Sequence, residues 1–171
     1  QDLIRNNRAL AERDALTSLL VRRQFFVLAH EAVAEARKER HSLCAAMIDV
    51  DYFKQVNDRY GHLAGDIALR QLGAMLREEF PAPFICGRYG GEEFCIVAPG
   101  VEKQDFARRL ENFRSCVSSK PVQIGALSIV VSVSIGMAEQ HATDLESLIS
   151  AADGQLYTAK REGRDRFVWQ A

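Results

Sequence analysis

Four acidic side chains fall where two apolar runs of the sequence meet polar residues. Asp49 and Asp51 close the run "SLCAAMIDVD", and Glu92 and Glu93 follow two glycines in "RYGGEEF". Asp49 and Asp51 are two residues apart, so on a strand they share a face. If the two segments lie side by side, the carboxylates converge and raise one another's pKa. A divalent cation resolves that repulsion, and oxygen donors without paired cysteine or histidine favour Mg²⁺ over zinc.

Basic side chains that suit phosphate groups lie in two other places. Lys54 follows the acidic strand, and Lys160 and Arg164 are four residues apart, one above the other if the last helix reaches that far. Each feature alone has an ordinary explanation: a solvated charge, a strand-end turn or, for Gly90 and Gly91, a tight type I′ or II′ hairpin. Together they predict a phosphoryl or nucleotidyl transfer site.

The elements that must position these groups follow from the spacing of apolar residues. The first half of the chain is predicted to contain a helix capped by Thr17 or Ser18 and ending near Glu39, a strand over 42–53, a turn-rich stretch over 57–66, a helix from Asp66 to Phe80 and a hairpin over 84–98. The second half is predicted to contain a helix through 106–117, a short strand at 122–124, a strand over 127–138, a helix from Leu145 to near Gly163 and an edge strand over 166–170. Helices alternating with strands around one hairpin predict an α+β fold, a mixed central sheet with covering helices.

Composition excludes several classes of function. The chain has 171 residues, 47% of them hydrophobic and 26% charged, with a net charge of −1, which gives no electrostatic case for a nucleic-acid or membrane partner. No apolar run approaches the roughly 18 residues that a membrane helix needs. The 4 cysteines form no C-x-x-C pair, so we predict reduced core cysteines in a cytosolic protein.

Several segments in order resemble the GGDEF domains, the diguanylate cyclases. "RYGGEEF" is similar to the family signature in its Glu variant, and "IDVDYFKQVNDRYGHLAGD" matches the family's D-x-D-x-FK-x-xND-x-xGH-x-xGD almost throughout. "RDALTSLLVRRQFF", "VSVSIGMA" and "AADGQLYTAKREGRDRF" resemble the opening helix, a late strand and the closing motif. The similarity runs from about residue 13 to residue 168.

The resemblance implies an enzyme that condenses two GTP into cyclic di-GMP with release of two pyrophosphates. Its fold is similar to the palm of nucleotidyl cyclases and polymerases, with a ferredoxin-like core. By the same resemblance Asp49, Glu92 and the backbone carbonyl of Val50 hold Mg²⁺, for which Mn²⁺ can substitute. Glu93 is a further metal ligand or the catalytic base. Asp49, Lys54, Glu92 and Glu93 are therefore the expected catalytic residues.

Substrate contacts are implied in the same way. Asn57 and Asp66 recognise guanine, whose N1–H and N2–H₂ groups suit a carboxylate. The triphosphate binds Lys54, Lys160, Arg164 and backbone amides around Phe53, and Gly90 and Gly91 let the backbone come close to the nucleotide. Because one site binds one GTP, two subunits must face each other antiparallel as a homodimer.

The chain also departs from the family pattern. The inhibitory R-x-x-D, expected nine residues before the first signature glycine, is replaced by "PAPF", Pro81 to Phe84. Without the arginine and the aspartate, the segment cannot bind product through a guanidinium and a carboxylate, so we expect product inhibition to be lost. The other departures are Ser18 for Gly, Val21 for Asn, Gly154 and Gln155 in the last helix, and Asp165 for Asn.

Domain limits and alternatives complete the predictions. Residues 1–13 are expected to end a helical linker from an upstream region, and residues 14–171 to form the catalytic domain. We expect the domain to be cytoplasmic, with any membrane tether of the whole protein lying upstream. The main alternative is a weak or inactive module that binds GTP or cyclic di-GMP. A cyclase with another base specificity and an interaction domain without chemistry are the others.

Overall fold

The computed structural model describes residues 12–141 and 144–169. Five helices and eight strands lie in these ranges: β1 Leu20–Val21, α1 Arg22–Glu39, β2 Ser42–Val50, α2 Phe53–Tyr60, α3 His62–Glu79, β3 Ile85–Arg88, β4 Glu93–Ala98, α4 Lys103–Ser119, β5 Val122–Ile124, β6 Leu127–Ile129, β7 Val133–His141, α5 Leu145–Arg161 and β8 Phe167–Trp169. The linker expected over residues 1–13 lies almost wholly outside the described residues.

One mixed sheet forms the centre of the fold. Its six strands follow the order β1-β3-β4-β2-β7-β8. The four inner strands pair antiparallel, and the edge strands β1 and β8 pair parallel with β3 and β7. Strands β5 and β6 form a separate two-stranded sheet. The predicted α+β fold is confirmed, and so is the placement of the hairpin beside β2.

Helices cover both faces of this sheet because β2 is apolar on both sides, as expected for a central strand. Ile48 and Val50 face the core beneath α2, α3 and α4, which also contains Leu72 and Phe106. Met47 faces the second core, beneath α1 and α5. Asp49 lies between Ile48 and Val50 on β2, so strand alternation places its side chain on the α1/α5 face.

Several predicted boundaries were wrong. Thr17 is buried and donates to Asp14, whereas α1 begins after Val21, which provides no side-chain cap. The stretch 57–66 is mostly helical, because α2 and α3 are separated only by Gly61. The strand predicted over 127–138 divides into β6 and β7, since β6 turns away to pair with β5.

The cysteine prediction holds in part. All four cysteines are free; Cys44 and Cys95 are buried, Cys86 is half-buried and Cys116 is exposed. Burial raises the pKa of the Cys44 and Cys86 thiols to about 12. Within the described residues, no helix combines the length and the apolar character needed to cross a membrane.

Candidate active site

Two of the predicted acids face each other across neighbouring strands. Asp49 of β2 pairs in register with Glu93 of β4, so both side chains lie on the α1/α5 face at one end of the sheet. Lys160, from the last turn of α5, reaches them: its Nζ lies 2.9 Å from Asp49 Oδ2. Burial raises the pKa of Asp49, and Asp51 adds to that rise while Lys160 opposes it.

Glu92 belongs to the same cluster through the backbone. Its carbonyl accepts a hydrogen bond of 3.2 Å from the Val50 amide, which ties the loop to the end of β2. Burial raises the pKa of Glu92, and the charges of Asp49 and Glu93 raise it further. The predicted convergence of acids from two elements is therefore seen, and Lys160 is the cation that pairs with Asp49 in the described part of the chain.

The two signature glycines do not form the primed two-residue turn considered above. Neither Gly90 nor Gly91 has a positive φ, and four residues separate β3 from β4. A Cβ at Gly90 would meet the carboxylate end of the Glu93 side chain, which would have to move aside. Around Gly91 the space is open. Gly90 thus leaves room for the Glu93 side chain in its present position.

An arginine holds this loop in place. Arg88 donates from Nη2 and Nε to the Gly91 carbonyl, at 2.6 and 3.1 Å, and from Nη1 to Asp14 at 3.1 Å. Asp14 also accepts hydrogen bonds from Thr17. Sequence reasoning did not assign Arg88 this role, although its position directly before the glycine loop was a usable signal.

Asp51 differs from Asp49 because both of its carboxylate oxygens accept hydrogen bonds from neutral donors of the protein. Oδ1 accepts from Ser134 Oγ at 2.6 Å, and Oδ2 accepts from Ser132 Oγ at 2.7 Å and from the Asp165 amide at 2.9 Å. The side chain is buried, and these bonds join β2, β7 and the loop after α5. Asp51 is therefore a structural residue rather than a second free acid.

The residues expected to bind nucleotide lie on α2, on α3 and after α5. Asn57 packs its amide oxygen against Gly65, where a side chain would overlap it, so Asn57 lies beside the turn that carries Asp66. Asp66 is exposed, and its carboxylate has no hydrogen-bond or ion-pair partner among the described residues. Lys54 is also exposed and pairs with Asp58 at 2.7 Å, not with the acid cluster. Phe53 is buried as the first residue of α2.

Arg164 lies beyond the last helix, so the condition for its stacking above Lys160, a helix that reaches residue 164, is not met. Helix α5 ends at Arg161, and Arg164 sits in a turn with φ of 64°. Its guanidinium carbon lies 4.7 Å from the centroid of the Tyr52 ring. Tyr52 was not among the predicted site residues, although it precedes Phe53 directly.

The whole chain was then compared with known proteins. A family described as "Diguanylate cyclase, GGDEF domain" matches residues 11–166. The chain belongs to the GGDEF domain family. Diguanylate cyclase A of Treponema denticola is 33% identical over 170 residues, which cover 94% of this chain and 46% of that protein. Diguanylate cyclase DosC of Escherichia coli is 37% identical over 161 residues, covering 92% of this chain and 35% of that protein.

The fold is similar to that of a solved GGDEF structure. The coiled coil and GGDEF domain of DgcB from Caulobacter crescentus, in complex with c-di-GMP, matches with a TM-score of 0.94 and 31% identity. That match covers 99% of this chain and 91% of the other. The chain spans less than half the length of the two curated relatives. The palm-like fold expected from the resemblance is thus confirmed for this GGDEF domain.

The segment that stands in the place of the inhibitory motif is apolar: Pro81, Ala82 and Pro83 are exposed, and Phe84 packs inward. The ring of Phe84 lies 5.3 Å from that of Phe80 and 5.6 Å from that of Phe106. Arg109 stacks over the outer side of Phe84 but donates to the Glu79 carbonyl. Residues 81–84 of this GGDEF domain thus offer no charged side chain.

Two other departures from the GGDEF pattern have visible surroundings. Ser18 has a φ of 58°, the left-handed conformation that the expected glycine adopts without cost. Val21 pairs with Arg88 between β1 and β3, so it adjoins the arginine that holds the glycine loop.

The acid cluster fits a divalent cation only in part. In residues 12–141 and 144–169, no three His, Cys, Asp or Glu side chains are close enough to hold a metal. Asp49 and Glu92, however, are carboxylates whose pKa values are raised by burial, although Lys160 opposes the rise at both. Such a donor set fits a hard ion such as Mg²⁺, which takes few protein ligands and completes its shell with phosphate oxygens and water.

Proposed function

We propose that this domain is an active diguanylate cyclase, which condenses two GTP into cyclic di-GMP and releases two pyrophosphates. The observation that carries the proposal is the acid cluster of Asp49, Glu92 and Glu93 at one end of the sheet, kept intact in a GGDEF domain. A module that only binds nucleotide has no need of carboxylates with unfavourable charge.

Recognition of guanine is assigned to Asp66 and Asn57. The exposed carboxylate of Asp66 accepts hydrogen bonds from guanine N1–H and N2–H₂, whereas the N1 lone pair of adenine would repel it. Asn57 lies beside it and adds an amide with both donor and acceptor atoms. This pairing supports GTP as substrate over ATP.

The triphosphate is assigned to Lys54, Lys160, Arg164 and the amides at the start of α2. That helix has no side-chain cap at its N-terminus, so its first amide groups stay available to anionic oxygens. Lys54 is exposed and already charged beside Asp58, which raises its pKa. Stacking on Tyr52 orients the Arg164 guanidinium before substrate arrives.

Mg²⁺ is assigned to Asp49, Glu92 and the Val50 carbonyl, with Mn²⁺ as a substitute. When bound, the ion would lower the pKa of the attacking 3′-hydroxyl and stabilise charge on the α-phosphate oxygens. Glu93 lies opposite Asp49, where it either adds a ligand or accepts the proton of the hydroxyl. Lys160 now pairs with Asp49. When nucleotide binds, a phosphate group would replace the Asp49 carboxylate as the partner of Lys160.

A homodimer is part of the proposal, because each site holds one GTP and the product contains two. Two domains would face each other antiparallel, each supplying one nucleotide and half of the catalytic groups. Activity per domain should therefore rise with protein concentration and with fusion to a dimeric coiled coil.

The decisive experiment is product identification. Dimerised protein is incubated with GTP and Mg²⁺, and the products are analysed by mass spectrometry. We expect cyclic di-GMP and pyrophosphate from GTP, and no cyclic dinucleotide from ATP. Binding of GTP without turnover by a folded dimer would instead establish the alternative, an inactive nucleotide-binding module.

Loss of product inhibition is a separate proposal, supported by the apolar segment 81–84. Initial rates are measured against added cyclic di-GMP at several GTP concentrations. We expect only weak inhibition that excess GTP overcomes. Potent inhibition that GTP does not relieve would mean that another surface has replaced the missing motif.

A further inference from the structure

The loop between α5 and β8 holds the phosphate-binding arginine in a costly conformation. Arg164 and Asp165 are consecutive residues with positive φ, 64° and 44°. Each such residue costs about 1 kcal/mol or more, so the conformation persists only when surrounding bonds impose it. The loop is therefore held by contacts that can be named.

The first group of contacts fixes the backbone. The Arg164 amide donates to the Ala159 carbonyl at 3.0 Å, which closes the end of α5. The Asp165 amide donates to Asp51 Oδ2 at 2.9 Å. Because Asp51 is 4% exposed and is held by two serines of the β7 side, this anchor is rigid.

The second group fixes the loop from the other face of the sheet. Asp165 Oδ1 accepts a hydrogen bond of 2.7 Å from Arg114 Nη1 and one of 2.8 Å from Ser118 Oγ. Both donors lie on α4, which packs in the core opposite α5. Arg114 is itself oriented by Glu111, whose Oε1 lies 2.6 Å from Nη2. The guanidinium of Arg114 is always charged, and its two carboxylate partners raise its pKa further.

We propose that Arg114 and Asp165 are positioning residues for nucleotide binding, acting through Arg164. Together with the Asp51 anchor, their ion pair sets the turn that places the Arg164 guanidinium over Tyr52. Neither residue touches the substrate in this arrangement. The inference rests on the proposed function, in which Arg164 binds the triphosphate.

The test is a double-mutant cycle measured by two readouts. One is the affinity for a GTP analogue with a methylene bridge between the α- and β-phosphorus atoms, and the other is KM and kcat for GTP. We expect Asp165→Ala and Arg114→Met each to weaken analogue binding about 5- to 10-fold and to raise KM more than they lower kcat. In an Arg164→Ala background, we expect neither change to weaken binding further.

Two matched variants separate positioning from general damage. Asp165→Asn keeps the acceptor oxygen for Arg114 and Ser118, so it should bind the analogue within about 2-fold of the parent chain. Arg108→Met removes an ion pair with Asp105 on the same helix, which is more exposed than that of Arg114, and should change nothing. Thermal unfolding of each variant shows that the fold is retained.

The outcomes distinguish the two levels of the proposal. Equal weakening by Asp165→Ala with and without Arg164 would overturn the positioning role and leave the cyclase proposal untouched. The same holds if Arg108→Met and Arg114→Met behave alike. If the parent chain fails to bind the analogue with Mg²⁺ present, both the positioning role and the proposed function are wrong.

Discussion

Acidic residues at the two ends of strand β2 are in opposite electrostatic situations. At the end near Ser42, Glu139 of β7 accepts from Ser42 Oγ at 2.7 Å and pairs with Lys103 at 2.9 Å. These partners lower the pKa of Glu139. At the other end, burial and neighbouring charges raise the pKa values of Asp49 and Glu92, which share Lys160.

The direction of the pKa shift distinguishes acids that stabilise the fold from acids that are available to bind a ligand. Glu139 is charged and satisfied, so the folded state gains from its ionisation. Asp49 and Glu92 are charged at a cost, which only an incoming cation or a proton can relieve. Asp51 sharpens this contrast, because it lies two residues from Asp49 and yet accepts three hydrogen bonds.

The largest expected effect comes from removing the charge of Asp49, at the end of β2 where the acids have raised pKa values. In Asp49→Asn we expect cyclase activity to fall by at least about 10³-fold, because several kcal/mol of charge stabilisation would be lost. The free energy of unfolding should stay the same or rise, since a buried charge that opposes folding is removed. Turnover is measured as pyrophosphate release, and stability by urea denaturation.

A second substitution and a control test the same contrast. Glu92→Ala should also abolish turnover, and undiminished activity in that variant would remove Glu92 from the metal site. Glu139→Gln, at the satisfied end, should keep normal turnover. A large loss of stability in Asp49→Asn would contradict the comparison, because it would show that Asp49 is a structural residue like Asp51.

The fold and the positions of the main site residues were predictable because they depend on local pattern and on alternation. The apolar run before Asp49 and the hairpin around Gly90 were sufficient to place acids from two strands at one end of the sheet. The helix over 53–60 was missed because its polar residues and the Gly61 that follows it are typical of a turn, while packing of Phe53 and Val56 stabilises it.

Roles that depend on long-range partners could not be predicted. Nothing near Asp51 in the sequence indicates that Ser132, Ser134 and the Asp165 amide will meet its carboxylate, since 81 to 114 residues separate them. The same is true of Arg114 and Asp165, which are 51 residues apart. The alternation of apolar and polar residues predicts which face of the sheet each side chain occupies. Only the folded chain shows which carboxylate already accepts hydrogen bonds from distant residues.

An effect of intermediate size, on stability, is expected when Asp51 is replaced, the acid at the active-site end of β2 whose carboxylate is fully hydrogen-bonded. Asp51→Ala should lower the free energy of unfolding by about 3 kcal/mol, because it leaves buried donors without an acceptor. Asp51→Asn should cost less, since its amide oxygen still accepts part of these bonds. Urea denaturation of both variants gives the values. A loss below about 1 kcal/mol for Asp51→Ala would show that water replaces the carboxylate easily.

The smallest expected effect, and the one with a defined pH dependence, concerns Glu139. Its pKa is lowered in the folded state, so its ionised form contributes stability above the unfolded pKa, and that contribution is lost as the pH falls through the folded pKa. We expect Glu139→Gln to lower the free energy of unfolding by about 1 kcal/mol at pH 7. The difference from the parent chain should be full above the unfolded pKa of about 4.3 and be lost as the pH falls through the lower pKa of the folded state.

Urea denaturation at pH 7, 5 and 3.5 measures this difference, with Glu31→Gln as the control. Glu31 is exposed on α1 and has no ion-pair partner among the described residues, so its substitution should have little effect at any of these pH values. A difference for Glu139→Gln that is equally large at pH 3.5 would show that shape rather than charge makes the contribution. In that case the two ends of β2 would differ in packing, and the electrostatic contrast between them would rest on Asp49 and Glu92 alone.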